Sequence, residues 1–112
     1  MSKDDDHKVD IFRLIRLKRL DLLTKELNKR PLRVNEKTSD GFTLLMYAAK
    51  DGLVDFVDML IERGAIIDAK NFAGLTAMIY ASHNNHKGIC GTLSMAIQKE
   101  VHSGDEKSPE TL

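Results

Sequence analysis

The segment DGFTLLMYAAKDGLVDFVDMLIERGAIIDAKN, residues 40–71, decides the fold, because a weaker copy of it begins as NFAGLTAMIYASHNNH at residue 71. The two copies share residue types at a constant offset of 33 positions, as from 41 to 74. A fixed period of this length predicts a repeat protein whose units stack side by side. The matching pairs are Gly41 and Gly74, Thr43 and Thr76, Ala48 and Ala81, and Leu60 and Leu93.

Each copy has the sequence pattern of two helices joined by a tight turn. Thr43 precedes the apolar run LLMYAA, and because its hydroxyl can accept a hydrogen bond from the first helical turn, a helix is predicted to begin there. Gly52 is placed to end this helix. A second apolar stripe at helical spacing begins at Leu53 and stops at Gly64. Residues 65–74 then carry the turn chemistry of a projecting hairpin loop.

The repeat resembles the ankyrin-repeat family. This resemblance implies an all-α solenoid of about three stacked helix–turn–helix repeats with short β-hairpin loops, in which the first and last repeats are degenerate caps. Two residues depart from the family: Leu44 stands where proline is usual, and Met46 stands where histidine is usual. These departures predict a softer hairpin network and a fold held mainly by apolar packing. The residues that carry the resemblance are Gly41, Thr43, Leu45, Ala48, Ala49, Gly52, Val57, Leu60, Gly64, Ala65, Asp68 and Ala69.

The sequence before residue 40 fits a degenerate first repeat, in which Asp10 takes the position of Thr43 as a helix cap. Because no glycine separates the halves of this repeat, residues 10–29 fit either two helices, the second capped by Asp21, or one uninterrupted helix. Charged side chains at Arg16 and Arg19 suit the open end of a stack. The other correspondences are Ile15 with Ala48, Arg16 with Ala49, Arg19 with Gly52, Leu23 with Phe56, and Leu27 with Leu60.

These alignments divide the chain into five segments. Residues 10–36 form an N-terminal cap repeat, residues 37–69 a full repeat, and residues 70–102 a C-terminal cap repeat. Residues 1–9 are polar and acidic and are predicted to be mobile. Residues 103–112 lack periodicity and are predicted to form a disordered tail.

Composition limits the classes of partner. The chain has 112 residues, with 17 Lys plus Arg and 17 Asp plus Glu, so its formal net charge is zero and no nucleic-acid partner is expected. The single cysteine, Cys90, is expected to be buried on a helix, which suits a reducing compartment. No signal peptide and no apolar run near the roughly 18 residues of a membrane span are present in the sequence. We therefore expect an intracellular, cytoplasmic or nuclear, location.

The sequence offers little catalytic or metal-binding chemistry. His83, His86 and Cys90 have a spacing that can place donors on neighbouring helical turns, but no fourth ligand accompanies them and Cys90 aligns with the core residue Val57. We find no nucleophile motif, no phosphate-cradling glycine loop and no paired carboxylates on rigid elements. The chain is therefore expected to be neither an enzyme nor a cofactor-binding protein.

The aromatic residues point to a binding surface instead. Phe12 and Phe56 fall at core positions, whereas the resemblance places the other aromatic residues on the concave face, made of hairpin tips and first helices, through which ankyrin proteins bind a partner protein. Such a module would act as an adaptor, an assembly factor or an inhibitor. The predicted partner-binding residues are Leu17, Lys18, Phe42, Tyr47, Lys50, Asp51, Phe72, Leu75, Tyr80, His83 and Asn84.

A second hypothesis rests on the basic segment from Ile11 to Arg33, which carries eight Lys and Arg residues against Asp21 and Glu26. A basic amphipathic stretch can mark a membrane-surface or calmodulin-type regulator. The two hypotheses differ in where the leucines of this segment lie. An interaction module buries them in its core, whereas a surface-binding helix keeps them available.

Overall fold

The computed structural model describes residues 9–107, with side chains described for residues 9–97. The described residues form six α-helices and one short 3-10 helix, Pro31–Asn35. They contain no strand, and the hairpin pairing expected in the loops is reduced to one antiparallel bridge between Lys37 and Thr43. The helices are α1 (Ile11–Arg16), α2 (Leu20–Lys29), α3 (Leu44–Asp51), α4 (Val54–Glu62), α5 (Ala77–His83) and α6 (Lys87–Lys107).

The helices form three pairs that stack in two rows. The first helix of each pair packs on the next first helix, so that α1, α3 and α5 make one row. The second helices, α2, α4 and α6, make the other row. We call these the first-helix row and the second-helix row.

Polar caps fix where each first helix begins. Asp10 accepts hydrogen bonds from the backbone N–H groups of Phe12 and Arg13, both at 3.1 Å. Thr43 and Thr76 accept the same kind of bond one and two periods later. The sulfur of Met46 also accepts the Thr43 N–H at 3.4 Å. Met46 stands where the family usually has histidine, and the absence of that histidine predicted a softer network of loop hydrogen bonds. The sulfur of Met46 supplies one hydrogen bond at this position.

The first repeat consists of two helices, as the period predicted, and the uninterrupted-helix alternative is wrong. Lys18 lies between α1 and α2, and its left-handed φ of 60° interrupts the helical conformation there. The predicted cap of the second helix is also wrong, because Arg19 precedes α2 and Asp21 lies in its first turn. Asp21 pairs with Arg19 at 3.4 Å, and this hydrogen bond lowers the pKa of the Asp21 carboxyl.

The register of the first repeat shifts by one residue within α1. In each turn between paired helices a backbone N–H returns to a carbonyl five residues earlier, and these bonds join Arg19 to Leu14, Leu53 to Ala48, and His86 to Ala81. The last two donors are 33 residues apart, whereas Arg19 and Leu53 are 34 apart. The first repeat therefore has one residue fewer than the others between its helix cap and this turn bond. The predicted correspondences after that point move by one residue. The corrected pairs are Arg16 with Lys50, Lys18 with Gly52, Leu23 with Val57, Glu26 with Leu60, and Leu27 with Ile61.

Small and branched apolar side chains fill the space between the helix pairs. Ala48 and Ala81 occupy equivalent positions of α3 and α5, two helices that pack on each other, and both are fully buried. Phe56 is buried as predicted, whereas Cys90 is only half-buried. The other large, fully buried side chains are Ile11, Ile15, Leu23, Leu27, Leu44, Leu45, Met46, Val57, Leu60, Ile89 and Leu93.

The shift in register puts a carboxylate at a core position of the second-helix row. Glu26 is only 4% exposed and accepts bonds from Arg33 at 2.8 Å and from Arg30 at 3.1 Å. Burial by itself raises the pKa of Glu26, but the Arg33 hydrogen bond and the two guanidinium charges outweigh it and lower that pKa below its ordinary value. Arg33 also binds Glu36 at 2.9 Å. The sequence analysis did not predict this cluster.

A second unpredicted contact joins the first two loops. The Asn35 side-chain amide donates to the Gly64 carbonyl at 3.2 Å, and its oxygen accepts the Ile66 N–H at 2.8 Å. One asparagine thereby satisfies two backbone groups of the next repeat. This contact fixes the spacing of the first and second loops.

The last helix, α6, is longer than predicted. It continues to Lys107, so residues 103–107 of the predicted disordered tail are helical, because extending an established helix adds a backbone hydrogen bond for each residue that joins it. The rest of that tail and most of the predicted mobile N-terminus lie outside the described residues. None of the described helices is both long and apolar enough to cross a membrane.

Replacing Glu26 by glutamine should destabilise the domain by about 1–3 kcal/mol at neutral pH, because the hydrogen bonds from Arg30 and Arg33 lose their ionised acceptor at a buried site. A lowered carboxyl pKa gives stability that is present above the unfolded pKa and lost as pH falls through the folded value. The gap between wild type and Glu26→Gln should therefore shrink in acid. Urea unfolding at several pH values measures this gap.

The matched control is Glu62→Gln, on the exposed side of α4. This change should leave the unfolding free energy almost unaltered across the same pH range. Equal losses in the two variants, or a Glu26→Gln gap that grows in acid, would show that the buried cluster does not stabilise the fold.

Candidate functional site

The candidate site is the surface formed by the loop tips before α3 and α5 together with the exposed side of the first-helix row. Four aromatic rings run across it in contact. The ring centroids are 5.7 Å apart for Phe12 and Tyr47, 5.2 Å for Tyr47 and Phe42, and 5.5 Å for Phe42 and Tyr80. All four rings are half-buried against the core. We call them the aromatic row.

The aromatic row corrects two expectations. Phe12 was predicted to be a core residue, but it is only half-buried and contacts Tyr47 in this row. Phe42 was predicted to be a partner-binding residue of the concave face, but it lies between the two tyrosines and packs on the core. Aromatic pairs at such distances contribute about 0.5–1.5 kcal/mol beyond the area that they bury. Phe42 is therefore part of the frame of the site, and only its exposed edge is available to a partner.

Asn71 organises the second loop tip. It is 5% exposed, and its side-chain oxygen accepts the backbone N–H groups of Ala73 at 2.9 Å and Leu75 at 3.0 Å. Its amide donates to the Tyr80 hydroxyl at 2.8 Å. The tip is thus tied to α5 through Tyr80, and Leu75 in the same loop is half-buried.

Phe72 is the most prominent apolar side chain of the site, with 80% of its surface exposed. Its backbone N–H donates to the Asp40 carbonyl at 3.0 Å, which joins the two loop tips. Gly41 beneath it has a left-handed φ of 86°, and a Cβ built there would lie 2.9 Å from Phe72 Cδ1. The absence of a side chain at Gly41 is what lets Phe72 sit in this place.

The predicted polar residues of the second and third repeats meet at the end of α3. The Asn84 amide donates to the Lys50 carbonyl at 2.9 Å, and the His86 Nε2 lies 3.1 Å from the same oxygen. Asn84 therefore has a structural role in addition to its exposed position. The Lys50 ammonium lies 3.9 Å from the Asp51 carboxylate, and both side chains remain more than two-fifths exposed.

The first-helix row brings equivalent residues of the three repeats into line. Left-handed residues follow each first helix at Lys18, Gly52 and Asn85, with φ of 60°, 74° and 66°. The residue before each of these is Leu17, Asp51 or Asn84, and the residue before that is Arg16, Lys50 or His83. Leu17, which is 57% exposed, and Lys18 lie at the N-terminal end of the surface, as predicted.

The site contains little that suggests metal chemistry. Within the described part of the chain, no three His, Cys, Asp or Glu side chains are grouped so as to hold a metal ion. The His86 ring instead packs over Gly52, where a built Cβ would lie 2.7 Å from the imidazole Cε1. Asn84, His86 and the Gly52 turn therefore form the joint between the second and third repeats.

Three capped helix pairs with bonded loop tips define an all-α solenoid of helix–turn–helix repeats. A family model described as "Ankyrin repeats (3 copies)" matches residues 12–104. The chain belongs to the ankyrin-repeat family, and the predicted fold class is confirmed.

Three comparisons illustrate the similarity. The chain is 35% identical over 74 residues to the human NAD-capped RNA hydrolase NUDT12, an alignment that covers 66% of this chain and 16% of the relative. It is 30% identical over 89 residues to mouse ankyrin repeat and SAM domain-containing protein 6, covering 79% and 10% of the two chains. In the solved complex of the Bd0816 predatory endopeptidase from Bdellovibrio bacteriovorus with immunity protein Bd3460, one chain superimposes with a TM-score of 0.72 at 25% identity, covering 80% of this chain and 46% of that one.

We expect Gly41→Ala to destabilise the domain more than Gly74→Ala. Both glycines have left-handed backbones, with φ of 86° and 82°, so alanine at either position is strained by about 1–2 kcal/mol. Only the Gly41 change also collides with Phe72 and Asn71, and overpacking adds about 1–3 kcal/mol. Chemical denaturation monitored by circular dichroism measures both losses. Equal losses would mean that the loop tips do not pack as described.

Proposed function

We propose that this chain binds a partner protein through the loop tips and the first-helix row, and that it acts as an adaptor, assembly factor or inhibitor. Ankyrin repeats are protein–protein interaction modules, and the chain has three of them. The observation that carries the proposal is Phe72, an 80% exposed phenylalanine held on a hydrogen-bonded loop tip. A rigid, solvated aromatic side chain at such a place is typical of an interface anchor.

Burial of that side chain supplies the driving force. Apolar surface gains roughly 25 cal/mol for each Å² removed from water, and an aromatic side chain buries on the order of 150–250 Å² in an interface. The loop tip is already ordered by the Asp40 and Asn71 bonds. Less conformational entropy is therefore lost on binding than with a flexible loop.

The similar proteins support a role in protein binding, but they do not indicate which partner this chain binds. The structural neighbour comes from an assembly of two proteins, an endopeptidase in complex with an immunity protein. The chain spans only 16% of the NUDT12 relatives, and the alignment covers 74 residues. The hydrolase activity in that name belongs to the longer protein, and we propose a binding role without catalysis for the present chain.

We propose this role in preference to a membrane-surface or calmodulin-type regulator, because the fold buries apolar side chains that such a regulator would use. The basic segment is divided into two helices, and four of its apolar side chains are buried in the core. Ile11, Ile15, Leu23 and Leu27 are each at most 1% exposed. A surface-binding helix needs these side chains for its ligand, so such binding would require the first repeat to unfold.

The experiment is affinity capture to identify the partner, followed by titration calorimetry with variants. Phe72→Ala should weaken binding by about 1–3 kcal/mol, roughly 5- to 150-fold in Kd, because an anchor is removed. Its unfolding free energy should hardly change, since 80% of the side chain is already in water.

The control is Glu62→Ala, on the second-helix row, which should change neither affinity nor stability. Loss of binding in Glu62→Ala with full binding in Phe72→Ala would place the interface on the opposite side of the stack. The proposed function would then be wrong in its choice of surface.

A further inference from the structure

We infer that the partner contributes an acidic segment, which crosses the row Arg16, Lys50 and His83 and brings an apolar side chain to Phe72. This inference rests on the proposed function and specifies the chemistry of the partner. The three residues occupy the same position in successive repeats, two residues before the left-handed residue that ends each first helix. All three are exposed, and all three are basic side chains.

The basic side chains at the N-terminal end of this row differ from three other arginines of the first repeat. Arg19 pairs with Asp21, and both Arg30 and Arg33 pair with Glu26. Arg13, Arg16 and Lys18 are exposed and make no ion pair with any carboxylate of the described residues. Their charges are therefore directed to solvent on the surface that also carries the aromatic row.

The other side of the stack offers no comparable row. The exposed charged residues of α2 are Asp21, Lys25 and Lys29, whereas those of α4 are all acidic, at Asp55, Asp58 and Glu62. An extended ligand crossing the second-helix row would meet charges of both signs. Among residues 9–97, whose side chains are described, basic residues at one equivalent position in all three repeats lie on the first-helix row.

The spacing of the row limits the spacing of the acidic residues. Packed helices lie about 8–10 Å apart, and a chain in the polyproline II conformation advances about 3.1 Å per residue with three residues per turn, so that every third side chain lies on the same face. Equivalent positions on neighbouring first helices are therefore about three residues apart along such a ligand. The inferred segment has an acidic residue at every third position, with apolar residues between them.

Separate carboxylates suit this surface better than a continuous phosphate chain. Asp51 lies beside Lys50 in the row, and the whole chain has no net charge. A nucleic acid carries phosphate charges along its full length and would meet the Asp51 carboxylate, whereas an acidic peptide can place a neutral residue there.

Basic residues in the last turn of a helix also interact favourably with its dipole, which is a purely structural role for Arg16, Lys50 and His83. That role predicts that reversing the charges changes stability without changing the affinity for an acidic ligand. The two roles are therefore separated by measuring both quantities on the same variant.

The test uses a fluorescent synthetic peptide with glutamate at every third position and leucine between, and an otherwise identical peptide with glutamine. Fluorescence anisotropy should show the glutamate peptide binding at least about tenfold more tightly, with an affinity that falls as salt is added. The double variant Arg16→Glu/Lys50→Glu should lose about tenfold in affinity for it. The matched control Lys25→Glu/Lys29→Glu makes the same change in net charge on α2 and should bind as the wild type does.

Equal binding of the two peptides, equal losses in the two double variants, or tighter binding of an oligothymidylate or of phosphatidylserine vesicles would each overturn the inference. With the captured partner, a loss on Phe72→Ala but none on Arg16→Glu/Lys50→Glu would leave the proposed function standing and reject the acidic segment. No loss with either variant would reject both.

Discussion

The close approach of the first helices at Ala48 and Ala81 is the constraint on which the rest of the structure depends. Both side chains are fully buried. Because a methyl group fills little space, α3 and α5 can pack directly, and the loops that precede them are brought together. Phe72 then lies over Gly41, and the His86 ring lies over Gly52. The binding surface is thus a consequence of how closely the repeats stack.

Polar side chains convert this packing into a defined surface. Asn35 joins the first loop to the second, Asn71 closes the second loop tip, and Asn84 holds the carboxyl end of α3. Each of these amides satisfies a backbone group that a loop would otherwise leave to water. The exposed aromatic and basic side chains therefore stand on an ordered frame, which reduces the entropy lost on binding.

The period of the sequence predicted the fold, the caps at Thr43 and Thr76 and the burial of Ala48, because these features recur at fixed spacing. It did not predict the missing residue in α1. When a short helix has one residue fewer than its counterparts, the apolar pattern of the sequence is nearly unchanged. The side chains that follow nevertheless align with residues one position further along in the next repeat. Glu26 was consequently not aligned with a core position, although it is buried and binds Arg30 and Arg33.

The candidate site was only partly predictable for a related reason. The exposure of Phe72, Leu17 and Lys18 follows from their places in the repeat. The half-burial of Phe42 depends on Tyr47 and Tyr80, which are close to it only after the repeats have stacked. The pairing of Asn84 with the Lys50 carbonyl likewise joins two repeats. The spacing of the repeats and the helix propensity of the residues predict the structure of a single repeat. The contacts of Phe42 and Asn84 form between different repeats and cannot be predicted in this way.

The most direct measurement of the central claim compares the unfolding free energies of Ala81→Leu and Ser82→Leu by urea denaturation. The two residues are neighbours on α5, one fully buried between helices and the other exposed. Close stacking predicts a loss of about 1–3 kcal/mol for Ala81→Leu from overpacking, and almost none for Ser82→Leu. Equal stability of the two variants, or a larger loss for Ser82→Leu, would contradict the stacking of the first helices at Ala48 and Ala81.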